Sequence, residues 1–114
     1  MSGAIEVREM WSKESLSAFL WKEALGRARA CGAQGESVLF VARDSGSLTG
    51  LRRHHGIERI GAMTAVPSEK APLFYTLGMR FRFAFLIEPS DELLRGIMPL
   101  VTEQLTIARR GNAA

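Results

Sequence analysis

Cysteine is nearly absent: Cys31 stands alone in 114 residues. One thiol closes no internal disulfide and holds no zinc by itself, which suits a reducing, cytoplasmic compartment. Long apolar runs are missing too. None approaches the ~18 residues that a membrane-crossing helix needs. The opening MSGAIEVREMW is charged where a signal peptide needs an apolar core. Neither charge sign dominates, with 15 Lys+Arg against 12 Asp+Glu and a net +3. Dedicated nucleic-acid binders concentrate more positive charge than this, so nucleic acid is a minor expectation. Internal repeats and low-complexity tracts are also lacking. What is present is an ordinary globular composition, 46% hydrophobic and 24% charged. It is enough for a single domain, residues 1–114, with one modest core.

Hydrophobic spacing then sets the elements. Residues 4–10 alternate Ile5 and Val7 with Glu6 and Arg8, the period of a half-buried strand. Ser12 reads as the N-cap of a helix with Glu14 in its first turn. Leu16, Phe19, Leu20, Ala24, Leu25 and Ala28 form its apolar stripe, and Gly32 its stop. Trp21 reads as core or interface. Residues 36–42, ESVLFVA, form a continuous apolar run, as in a strand covered on both faces. Residues 79–87 place Phe81, Phe83, Phe85 and Ile87 on one side of a strand, with Arg80 and Arg82 on the other. Ser90 caps a second helix with Asp91 and Glu92 in its first turn. Leu93, Leu94, Ile97, Met98, Val101 and Leu105 make its stripe, and Pro99 must kink or split it. Thr106 to Ala108 can add a short edge strand before the tail frays.

The order β, α, β, long loop, β, α predicts a ferredoxin-like α+β sandwich, βαββα(β), with an antiparallel-containing sheet. Two helices cover one face, and residues 44–78 form a long loop between the second and third strands. The other sheet face stays partly apolar and calls for a partner, such as further copies of the chain.

Candidate sites fall at the ends of that loop and within it. Arg43, Asp44, Ser45 and Gly46 close the second strand, where free backbone N–H groups and a guanidinium can cradle an anion. The plain alternative is a strand-end turn. LRRHHGIER supplies Arg52, Arg53, His54, His55 and Arg59, a basic stretch suited to phosphate or to a partner, or simply to solvent. The adjacent histidines lack a carboxylate or thiol at ligand spacing, so no metal is expected. Residues 59–78 are too apolar for a wholly solvated loop and read as an arm that grips a partner or the strand edge. No nucleophile with a base at motif spacing and no Walker-type phosphate loop is present, so an enzyme is not expected.

Two stretches, KEALGRARACGAQGESVLFV (residues 22–41) and FAFLIEPSDELLRGIMPLV (residues 83–101), resemble the PII-like signalling superfamily. The first carries a helix rich in Ala, Arg and Leu into a Gly-x-x-Gly turn and a strand; in the second, Pro99 matches a proline of short PII-like proteins. The resemblance implies a ferredoxin-like homotrimer whose long T-loop, here residues 44–78, signals to a protein target. It implies an adenine nucleotide or a small anion such as bicarbonate at a subunit cleft, between the loop base and the C-terminal Arg109 and Arg110. The glycine-rich loop base of the family is reduced here to Gly46, and the segment after the second helix to Arg109, Arg110 and Gly111. Two other readings stand beside it. One is a nucleic-acid-binding ferredoxin-like domain using Arg52, Arg53, Arg80 and Arg82; the other is a structural assembly protein with no effector.

Overall fold

The computed structural model describes residues 5–31, 38–55 and 63–111. Its strands are β1 (Glu6–Ser12), β2 (Val38–Ala42), β3 (Met63–Pro67), β4 (Phe81–Ile87) and β5 (Val101–Arg110). Its helices are α1 (Ser17–Cys31), α2 (Ser45–His55), α3 (Leu73–Leu77) and α4 (Asp91–Ile97). Short 3-10 turns precede α3 and β5, at Ser68–Lys70 and Met98–Leu100.

All five strands are parallel, in the order β1-β5-β4-β2-β3. This overturns the ferredoxin-like, antiparallel expectation. The step that fails is the loop of residues 44–78. Within it lie α2, β3 and α3, so each strand is followed by a helix that carries the chain back before the next. Parallel strands need such crossovers. Asp44 starts α2, and Leu48 and Leu51, three residues apart, bury its inner face. Pro67 ends β3, an edge strand, where a missing N–H is tolerated.

The helices cover both faces. α1 and α2 pack with Val38, Phe40, Ala42, Phe85 and Ile87. α3 and α4 pack with Leu39, Val41, Ala84, Leu86 and Ile107 on the other face. The first two crossovers step toward β3 on one face; the next two step back toward β1 on the opposite face. Reversing direction and face together keeps all four crossovers of one hand. This is a doubly wound, flavodoxin-like sheet, with β1 at the position farthest from β3. The sheet face expected to stay open for a partner is therefore closed over β2 and β4. The radius of gyration is 13.2 Å, close to the ~13 Å expected for a compact chain of this length. Among the described residues no helix is long and apolar enough to cross a membrane.

Several local expectations shift. Ser12 ends β1 instead of capping α1; its hydroxyl accepts from the Glu14 N–H at 3.1 Å. Trp21, 3% exposed, takes the core place expected for Phe19, which is 50% exposed. Ser90 does cap α4, accepting from the Leu93 N–H at 3.1 Å. Pro99 ends that helix in a 3-10 turn, and the expected continuation through Val101 and Leu105 is strand. β5 is the second strand of the sheet rather than a short edge, with β-branched Val101, Thr102, Thr106 and Ile107 suited to it. A register irregularity between Phe81 and Phe83 breaks the expected row of phenylalanines. Phe81 and Phe85 are buried against opposite helix layers, and Phe83 sits half-buried on the α1 side.

Candidate functional site

In an all-parallel sheet every strand ends at the same edge. β2 leaves that edge for α2 on one face, and its neighbour β4 leaves for α4 on the other. Such divergence opens a crevice at the carboxyl ends of the strands, where doubly wound domains bind ligands. At the same edge, between the segments that lead into α3 and α4, a cleft of about 490 Å³ is lined by Ser68, Glu69 and Pro72 from the β3 exit and Glu88, Ser90, Glu92 and Leu93 from the β4 exit. A shallower depression of about 270 Å³ is lined by Trp11, Glu88, Pro89, Arg109 and Arg110. Glu88 borders both.

Glu88 is the one non-glycine described residue with positive φ, at 47°. The left-handed region costs an ordinary side chain about 1–2 kcal/mol, so the surroundings must hold it there. Its N–H donates to the Ala108 carbonyl at 2.8 Å, tying the end of β4 to β5. Its carboxylate lies 3.9 Å from Arg43 Nη1. The Arg43 carbonyl accepts the Ser68 hydroxyl at 2.6 Å, linking the β2 and β3 exits.

Asp44 is the N-cap of α2. Its Oδ1 accepts the Ser47 N–H at 2.7 Å, and its carbonyl accepts the Leu48 N–H at 3.1 Å. The hydrogen bond from the Ser47 backbone, a second from its side chain and the nearby Arg43 guanidinium hold the Asp44 carboxyl below the usual carboxylate range. A helix N-terminus at the carboxyl edge of the sheet is where such folds seat phosphate. Here the chain's own carboxylate fills that seat. Asp44→Ala is expected to lower Tm by roughly 3–8 °C through the lost cap. A depressed carboxyl contributes stability above its unfolded value, and that contribution fades as pH falls through the lower folded value. Thermal melts of both proteins should therefore converge as the pH drops below about 4.

The expected site residues divide between two ends of the molecule. Arg43, Asp44, Ser45 and Gly46 form the β2 exit and the first turn of α2, while Arg109 and Arg110 end β5 at the same edge. Two of the three arginines already have carboxylate partners: Arg43 Nε is 3.4 Å from Asp44 Oδ2, and Arg109 Nε is 3.3 Å from Glu9 Oε1. Arg109 also lies over the Trp11 ring, 6.0 Å from its centroid. Arg52, Arg53, His54 and His55 belong to the last turns of α2, at the opposite edge, instead of a loop. Arg59 lies outside the described residues. Ser68, Glu69, Glu88, Ser90 and Glu92 were not singled out as a site. In the sequence Glu88 is a strand end and Glu92 a helix start, and only the parallel order makes them face the β3 exit. Among the described residues no group of three or more His, Cys, Asp or Glu is placed to hold a metal ion.

The cleft presents acceptors. Glu69, Glu88 and Glu92 offer carboxylates, and the Ser90 hydroxyl, which already accepts from Leu93, keeps its proton to donate. Comparisons with protein-family models, curated proteins and solved structures gave no match to this chain.

Proposed function

We propose that the chain is a regulatory domain that binds a small polar molecule in the cleft at the carboxyl edge and acts by binding, not catalysis. The observation that carries this reading is the cleft at the carboxyl edge between the β3 and β4 exits, bordered by Glu88 in a costly backbone conformation. Such conformations concentrate at ligand sites. Three glutamates in the lining, and Asp44 in the phosphate seat, favour a ligand rich in amino or hydroxyl donors over a nucleotide. Among the described residues the cleft lining holds no cation, while Arg109 and Arg110 line the shallower depression beyond Glu88.

A ligand that bridges Glu69 and Glu88 draws the segment from Ser68 to Leu77 toward α4. That segment exposes Leu73 and Leu77, at 62% and 68%, and a partner protein can read their position. The response is then a shift between two placements of this segment, set by the ligand's differential affinity for them. The half-buried free thiol of Cys31 fits a reducing, cytoplasmic setting.

Glu88→Gly tests the reading cleanly. Glycine adopts positive φ without penalty but loses more entropy on folding, effects of about 1 kcal/mol each and of opposite sign. The variant should therefore melt close to the wild type while lacking the shared carboxylate. A thermal-shift panel of amino acids, polyamines, polyols, phosphate and nucleotides should raise the wild-type midpoint for a donor-rich member, and the rise should be lost in Glu88→Gly. No shift with any donor-rich compound, or a shift that survives Glu88→Gly, rejects this reading.

A further inference from the structure

The opposite edge of the sheet has a different electrostatic character. Helices α1 and α2 run back against the strands, so their last turns share this edge with the start of β4. Arg27 on α1, Arg52 and Arg53 on α2, and Arg80 and Arg82 at β4 all gather there, and all are exposed. The carboxyl edge is mixed by contrast: Asp44, Glu69, Glu88, Asp91 and Glu92 stand there beside Arg43, Lys70, Arg109 and Arg110. Exposed cations grouped at one edge make a local field that steers oppositely charged partners.

Cations at helix C-termini are commonly explained by the helix dipole. That explanation does not reach Arg80 and Arg82, which lie at the start of a strand. Nor does it account for the arrangement around Phe83. This ring keeps the α1 side that Phe85 and Ile87 share, half-buried, beside Arg82. Arg27 Cζ lies 4.9 Å from the ring centroid and Arg82 Cζ 5.3 Å, so two guanidinium groups converge on one ring. Arg82 is neutralised by Glu103, with Nε 3.1 Å and Nη2 3.3 Å from its carboxylate oxygens. Arg27 has no carboxylate partner among the described residues. Arg80 spends one donor on the Pro99 carbonyl at 2.7 Å, and Arg52 makes a long 3.4 Å bond to the Ala65 carbonyl. Donors remain on each.

We propose that this amino edge binds single-stranded nucleic acid. Arg27, Arg53 and Arg80 take backbone phosphates, and the planar surfaces of Phe83 and the guanidinium groups over it stack on unpaired bases. Aromatic and guanidinium faces next to a basic track are what single strands offer bases and phosphates to. A duplex hides its base faces and can satisfy only the phosphate half of this surface. This inference is independent of the ligand cleft, which lies at the other edge.

Fluorescence anisotropy with a labelled ~12-nucleotide single strand, the matching duplex and polyglutamate, titrated over salt, tests it. The single strand should bind most tightly, with log K falling linearly against log[salt] by about 0.7 per phosphate contacted. The exposed pair Arg53→Gln and Arg80→Gln should weaken binding at least tenfold and flatten that slope. Phe83→Leu, which keeps an apolar side chain in the half-buried position, should weaken the single strand several-fold with the slope unchanged. Lys13→Gln, a charge loss at the far edge, should change nothing. The proposal is overturned by absent binding at low salt, by an unchanged affinity in the arginine pair, or by duplex or polyglutamate binding as well as the single strand with Phe83→Leu silent.

Discussion

Phe40→Ala is expected to cost about 3–5 kcal/mol, the range for removing a fully buried phenylalanine from a core. Phe40 is 0% exposed at the middle of β2. It has β3 on one side and β4 on the other, in register with Ala65 and Phe85. Above it Trp21 of α1 stands edge-on, 5.1 Å between centroids at 87°. Collapse into the resulting void would need α1 to approach a sheet whose neighbouring positions, Val38 and Ala42, are already in contact with the same layer. The loss is a large part of the roughly 5–15 kcal/mol that a domain of this kind possesses. Urea unfolding should show a lower midpoint with an unchanged slope. A cost below about 1 kcal/mol would mean that α1 does not lie on β2 as described.

Leu39→Asp is expected to be more damaging still, above the 4–5 kcal/mol that marks exceptional substitutions, because it places an unpaired charge in an apolar layer. Leu39 is the next residue of the same strand and points the other way, into the layer with Val41, Leu86, Ile97 and Leu105, also at 0% exposure. In a sheet with one open face, one of two consecutive residues tolerates a polar side chain. Here neither does. The aspartate variant should be largely unfolded by circular dichroism. Leu39→Ala, at about 2–5 kcal/mol, keeps enough structure for a denaturant midpoint. If Leu39→Asp melted within a few degrees of the wild type, the layer formed by α3 and α4 would not cover β2.

These two variants probe what the sequence did and did not reveal. ESVLFVA announced a strand covered twice, and the alanine-rich stripe announced α1, because both patterns depend only on neighbouring residues. Ser90 with Asp91 and Glu92 announced α4 for the same reason. α2 was hidden by its composition: SGSLTGLRRHH contains two glycines and two serines, and only Leu48 and Leu51 mark an apolar side. Burial, not propensity, makes it a helix. β5 was hidden by coincidence, since Ile97, Met98, Val101 and Leu105 continue a helical spacing through Pro99. Reading α2, β3 and α3 as one loop removes two crossovers and a strand, and with β5 read as helix the fold class changes with them. The site suffered the same way. Arg43 and Asp44 were legible as a strand exit, but Glu88 gains its meaning only when β2 and β4 end side by side; Phe83 shares the side of Phe85 and Ile87 as alternation expects, and only Phe81 departs from it.

The placement of β1 also bears on how the molecule assembles. Its sheet neighbour is β5, with Glu6 opposite Gln104. Every other strand joins one much closer along the chain. Closing so wide a loop is entropically the least favourable step and delivers its contacts late. The block from β2 to β4, with its own helices on both sides, can gather before β5 is in position, and β1 has nothing to pair with until then. The first strand along the chain is thus expected to dock last, which makes the two most distant segments of the described chain the final seam of the finished domain.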